Sequence, residues 1–149
     1  MFSILPILGL LTASPDSGPA TWTFSTRTLP NGQVSVELIA TLEEGWHLYA
    51  TELPSDQGPL PTVFRFEPSK AFEVVGVLVE PDPVVAYDIN FGMVVRHHSG
   101  TARFELIIEP LVDGPFVVEG EVEYMVCNDK TCLPPVAVPF SIRVTPLGQ

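Results

Sequence analysis

Two cysteines, Cys127 and Cys132, are the only thiols of the chain. The residues between them, Asn128-Asp129-Lys130-Thr131, are polar and turn-forming. Apolar, strand-like sequence enters through Tyr124-Met125-Val126 and leaves after Leu133-Pro134-Pro135. This pattern predicts a β-hairpin with a cysteine on each arm near its tip. Sulfurs so placed can reach disulfide geometry, in which Cα atoms usually lie roughly 4.4–6.8 Å apart. Such a pair can serve as a fixed cross-link. It can also exchange, when an outside thiolate attacks one sulfur and the other leaves.

As a cross-link the pair closes a very small loop, and loop entropy gives it only about 2 kcal/mol. It also joins two arms that a hairpin ladder already holds. Several features favour exchange. Period two along the preceding strand puts Val118, Val122, Tyr124 and Val126 on one face. Glu119, Glu121, Glu123, Met125 and Cys127 fall on the other, which is expected to be solvated and acidic. Lys130 can stabilise a nearby thiolate, with Asp129 partly offsetting it. Pro134 and Pro135 remove two backbone donors from the second arm. Composition alone leaves both uses open, because secreted proteins carry many structural disulfides.

Other chemistry-bearing residues form weaker patterns. His97 and His98 adjoin on a strand, so their side chains point to opposite faces. Two cysteines with these histidines match no common zinc spacing. His47, between Trp46 and Leu48, reads as a half-buried polar position rather than a base. Ser99 and the carboxylates form no triad. There is no phosphate loop and no dinucleotide fingerprint.

The elements that must hold the hairpin are strands. Sixteen prolines and eleven glycines are spread through the 149 residues, which argues against long helices. Val, Ile, Thr and Phe dominate the runs between them. Strands are expected around Trp22–Ser25, Val34–Thr41, Trp46–Tyr49, Thr62–Glu67, Ala71–Glu80, Met93–His98, Ala102–Glu109, Val118–Cys127 and Val136–Thr145. Pro139 marks the last of these as an edge strand or a bulge. Tyr87 to Gly92 reads as a loop. The sum is an all-β domain, an immunoglobulin-like β-sandwich of about nine short strands.

The net charge of −11, from 18 acidic and 7 basic side chains, speaks against nucleic acid or an anionic membrane as partner. The first residues, Met1 to Leu11, form an apolar run too short to span a bilayer but suited to a secretion signal. Residues 1–19 are therefore expected to be signal and linker, and 20–149 the domain. Export to an oxidising compartment would let a disulfide persist.

The hairpin Tyr124 to Pro135 resembles the amino-terminal periplasmic domain of the thiol:disulfide interchange protein DsbD. Gly45-Trp46-His47-Leu48-Tyr49, Pro59-Leu60-Pro61-Thr62 and Asp88-Ile89-Asn90-Phe91-Gly92 support the resemblance in the family's order. The resemblance implies a redox pair, Cys127 and Cys132, with Cys132 forming the mixed disulfide. It implies a cap over the sulfurs at Asp88 to Gly92, with Phe91 as shield and with Tyr49 and Tyr124 as aromatic neighbours. Asn90 takes the position of the family's shielding phenylalanine, and the cysteine spacing is one residue shorter than in well-known members.

By the same resemblance, the partners are thioredoxin-like redox proteins or domains, and the acceptors include disulfide isomerases and proteins of cytochrome c maturation. No cofactor and no metal is implied. The chain ends at Gln149 without a membrane or thioredoxin-like domain, so separate proteins, including a membrane electron-transfer protein, are expected to serve it. The rival expectation is a non-catalytic immunoglobulin-like binding module with a structural disulfide.

Overall fold

A computed structural model describes residues 18–146. The secretion signal and most of the linker expected over residues 1–19 lie outside the described residues. Within them the chain forms β1 (Ala20–Thr28), β2 (Val34–Leu42), β3 (His47–Tyr49), β4 (Val63–Phe66), β5 (Phe72–Val79) and β6 (Val84–Asp88). There follow β7 (Met93–His98), β8 (Thr101–Pro110), β9 (Phe116–Tyr124), β10 (Val126–Cys127) and β11 (Val136–Val144). No helix interrupts them among the described residues.

Alternation in sequence explains the two large sheets. In β2 the apolar set Val34, Val36, Leu38 and Ala40 is wholly buried. The hairpin from β1 turns at Leu29 to Gly32, where Gly32 takes a positive φ of 87° that glycine adopts without steric cost. Trp22 then pairs with Ala40 and Phe24 with Leu38. The sheet runs β1-β2-β8-β5, and a three-stranded sheet β11-β9-β4 faces it. Rings lock the two layers: Trp22 meets Phe64 edge-on at 5.7 Å, and Phe24 lies 5.0 Å from Phe140. The all-β sandwich expected from the sequence is the observed fold. β11 is an edge strand, which accommodates Pro139 as expected.

The third sheet, β10-β3-β7-β6, carries the site and departs from expectation twice. Eleven strands replace about nine. One addition is β6, so Tyr87 and Asp88 are strand residues and only residues 89–92 form the turn. The other arises because β9 ends at Tyr124 and β10 begins at Val126, where the chain passes from one sheet to the next.

The second departure concerns Cys127. Its face is not solvated: Cys127 is wholly buried and Met125 is 9% exposed. Beyond Tyr124 that face is roofed by Leu53, Leu60, Phe91 and Met93, which pack with Tyr49, Val95, Met125 and Cys127. The alternation persists through the crossing, but the face it points to changes from water to a small second core. Farther back, Glu121 and Glu123 are paired with Arg65 on β4 at 3.1 and 2.9 Å, so they do not form an unpaired acidic apron beside the sulfur.

Candidate functional site

β10 pairs with β3 so that Cys127 stands opposite His47 and Val126 opposite Leu48. β3 pairs in turn with β7, Tyr49 opposite His97. One face of this sheet therefore collects Cys127, His47, Tyr49 and His97. Cys127 and Cys132 are joined in a disulfide, their Cα atoms 4.0 Å apart, at the tip of the expected hairpin. The tip is a tight turn: the Asn128 N–H donates to the Thr131 carbonyl at 2.9 Å. The Asn128 side-chain oxygen accepts from the N–H groups of Lys130 and Thr131, both at 2.9 Å, as an Asx turn does. Behind it the Leu133 N–H donates to the Val126 carbonyl at 3.0 Å.

The two sulfur-bearing residues differ in access. Cys127 is buried under the second core, whereas Cys132 is half-buried at its rim. Lys130 and Asp129 are exposed at the tip.

The turn after β6 folds over this hairpin. Asp88 anchors it, accepting from the N–H groups of Asn90 and Phe91 at 2.9 and 3.1 Å. The Asn90 side-chain amide then donates to the Asn128 carbonyl at 2.7 Å. Phe91 packs into the cysteine-bearing cluster, its ring edge-on to Tyr49 at 6.1 Å. Gly92 closes the turn with a φ of 65°. The structure thus brings together Asp88, Asn90, Phe91, Tyr49 and both cysteines. It does not bring Tyr124 to them: that ring lies in the main core, 5.5 Å from Trp22.

Three polar groups sit inside this arrangement. The Tyr49 hydroxyl donates to the Asp88 carboxylate, and His47 Nε2 lies 3.3 Å from that hydroxyl and 3.4 Å from Asp88 Oδ2. Burial pushes the Asp88 carboxyl up, but bonds from Tyr49, Phe91, Asn90 and His47 more than reverse this. It therefore stays below the usual carboxylate range, ionised. Burial, with Asp88 alongside, pushes the Tyr49 phenol far above its ordinary range. The His97 ring stacks on His47 at 4.5 Å; burial and the neighbouring His47 pull its pKa down.

His47 is half-buried, as expected; the expectation did not extend to its neighbours Tyr49, Asp88 and His97. The signal was present in the period-two spacing of His47 and Tyr49 on one strand face. Met93 and Met125, which line the sulfur cluster, carried no comparable signal.

The family described as the N-terminal part of thiol:disulfide interchange protein DsbD matches residues 16–142. No curated protein matches the chain. Among solved structures, the DsbD N-terminal domain of Neisseria meningitidis in the reduced form is similar at 17% identity and a TM-score of 0.55, covering 83% of this chain and 86% of that one.

The N-terminal periplasmic domain of ScsB from Proteus mirabilis is similar at 16% identity and a TM-score of 0.60. That match covers 90% of this chain, which spans about half, 51%, of the ScsB structure. A third, the complex between the DsbD and PilB N-terminal domains of Neisseria meningitidis, matches at 16% identity and a TM-score of 0.53 over 80% of each chain. These likenesses establish the shared fold. The family match, spanning most of the sequence and the whole cysteine hairpin, places the chain in the family of DsbD N-terminal domains, a family of thiol:disulfide interchange modules.

Proposed function

We propose that the chain is a periplasmic thiol:disulfide interchange module whose Cys127–Cys132 bond opens and closes in exchange with thioredoxin-like partners. It passes electrons between them and periplasmic acceptors, with a membrane electron-transfer protein as the ultimate source. Cys132 receives the attack and forms the mixed disulfide; Cys127 leaves. The observation that carries this reading is the unequal burial of the pair. An incoming thiolate must approach the sulfur it attacks along the S–S axis, and only Cys132 stands at the rim.

The cap residues Asp88, Asn90 and Phe91, with Tyr49 beneath them, limit that approach until a partner displaces the turn. The reading is supported by the likeness to a DsbD domain recorded in reduced form and to one recorded in complex with a PilB domain. The likeness to a periplasmic ScsB domain supports the compartment.

Trapping tests it. Cys127→Ala leaves Cys132 free to attack but with no thiol to resolve the product. Mixed with an oxidised thioredoxin-like protein, it should accumulate a covalent adduct that dithiothreitol releases. Cys132→Ala, with its thiol buried, should accumulate far less. Equal adducts from both variants, or none from either, would overturn the assignment.

A further inference from the structure

We propose that His47 is the proton donor to the Cys127 sulfur when the disulfide opens; this rests on the exchange reading above. Cys127 is 0% exposed and sits among Tyr49, Val95, Met125 and Phe91. Leaving from such a place as a bare thiolate is costly, because burial disfavours the charged form. A proton delivered on the spot removes that cost. His47 is the residue directly across the antiparallel ladder from Cys127, a position that sets side chains on the same face with Cβ atoms roughly 4.5–5.5 Å apart.

The groups that face His47 from the packed elements single it out. On its own strand, Tyr49 holds its proton tightly and gives its hydrogen bond to Asp88. From β6, Asp88 is ionised and has no proton to give, but its Oδ2 lies 3.4 Å from His47 Nε2. From β7, His97 stacks on the ring, and burial, with His47 beside it, lowers its pKa. From the hairpin tip, Asp129 lines a cavity of about 300 Å³ together with His47, Asp88 and His97, adding a second carboxylate and a path to water.

A partner thiolate attacks Cys132 Sγ, a new S–S bond forms, and the Cys127–Cys132 bond breaks with its electron pair moving to Cys127 Sγ. The His47 imidazolium gives that sulfur its N–H proton and becomes neutral imidazole. The partner's second thiolate then attacks its own sulfur in the mixed disulfide. Cys132 is released as a thiolate and is protonated by water. The partner dithiol is oxidised and the pair reduced by two electrons, and His47 recovers its proton from solvent through the cavity.

Single-turnover reduction of the oxidised chain by dithiothreitol, from pH 5 to 9, tests this. Each rate constant is divided by the thiolate fraction of the reagent. For a plain exchange the quotient is flat. With His47 as donor it is high at acid pH and falls by roughly tenfold or more between the acid and alkaline ends of that range. His47→Gln should give a flat quotient, as low at pH 5 as the unaltered chain is at pH 8, with circular dichroism unchanged. A variant profile that superimposes on the original would overturn the proposal. So would a flat profile from the unaltered chain, which needs no variant to fold. Failure of the parent reading looks different: Cys127→Ala then traps no partner, whatever the pH profile.

Discussion

The Asn90 side-chain amide donates a hydrogen bond to the backbone carbonyl of Asn128, 2.7 Å away. These two residues are 38 positions apart in sequence, and the bond fastens the turn after β6 onto the tip of the cysteine hairpin. At this position the sequence resemblance calls for a shielding ring. The polar side chain holds the cap down instead, and Phe91, one position later, supplies the ring that packs on Tyr49. Clasp and cover are separate residues here.

Separating them gives a first expectation. Asn90→Ala removes the clasp and leaves Phe91 in place. A neutral hydrogen bond contributes about 1 kcal/mol net, a factor of about five in an opening equilibrium. Reduction of the disulfide by dithiothreitol should therefore speed up by roughly three- to tenfold, while the thermal midpoint moves little. An unchanged rate, read by stopped flow, would mean that the cap does not gate the sulfurs.

A second expectation concerns the frame alone. Gly120 lies in β9 between Phe140 on β11 and Phe66 on β4. A Cβ there would collide with the Arg65 carbonyl and with the Phe140 ring. Gly120→Ala should cost about 1–3 kcal/mol as an overpacked core substitution, lowering the thermal midpoint by roughly 4 °C for each kcal/mol. Because the clash is in the main core, the rate of disulfide reduction well below the midpoint should stay as it was. Calorimetry showing no loss of stability would contradict the close strand approach.

How much of this was legible in the sequence follows from where one rule applies. Along β11 Val136, Val138, Phe140, Ile142 and Val144 point inward and the residues between them outward, because one sheet faces one core and water. The same alternation ran correctly through Tyr124. It misjudged Cys127 because period two reports which side a residue is on, not what lies on that side. The roof over Cys127 comes from residues 53 to 60 and 91 to 93, distant in sequence.

The run Tyr124-Met125-Val126-Cys127, four apolar residues in succession, did hold a local sign of burial on both faces. β6 went unread because Pro81-Asp82-Pro83 dominates its entrance. The hairpin and its cysteines were legible because turn chemistry is local. The link from Tyr49 and His47 to Asp88 was not, because it joins strands 39 residues or more apart.

Asp88 predicts an acid-side dependence of stability. Its folded pKa lies below the ordinary range of an aspartate carboxyl, so the unfolded chain binds the proton more readily. The contribution is then fully present above the unfolded pKa and is lost as pH falls through the folded one, below about pH 4. Asp88→Asn should cost roughly 1–3 kcal/mol at neutral pH through weakened bonds to the cap. It should also flatten the acid limb of a midpoint-against-pH curve. Parallel acid limbs for the two proteins would show that Asp88 gains nothing from its ionisation in the fold.

The electron balance gives the last expectation. The cysteines are five positions apart, so the bond constrains a loop worth only about 2 kcal/mol of unfolded-state entropy. The hairpin around it is already fastened by the Leu133–Val126 and Asn128–Thr131 backbone bonds. Little of the fold therefore depends on the disulfide, and reducing it should leave the sandwich intact. A bond so weakly coupled to folding is free to equilibrate with protein dithiols. Its reduction potential should then lie above about −300 mV, the level below which structural disulfides resist cellular reductants. Equilibration against a glutathione or dithiothreitol buffer measures it, with circular dichroism recorded on both forms. A potential below that level, with the reduced form unfolded, would make the bond a structural staple and favour the binding-module reading over exchange.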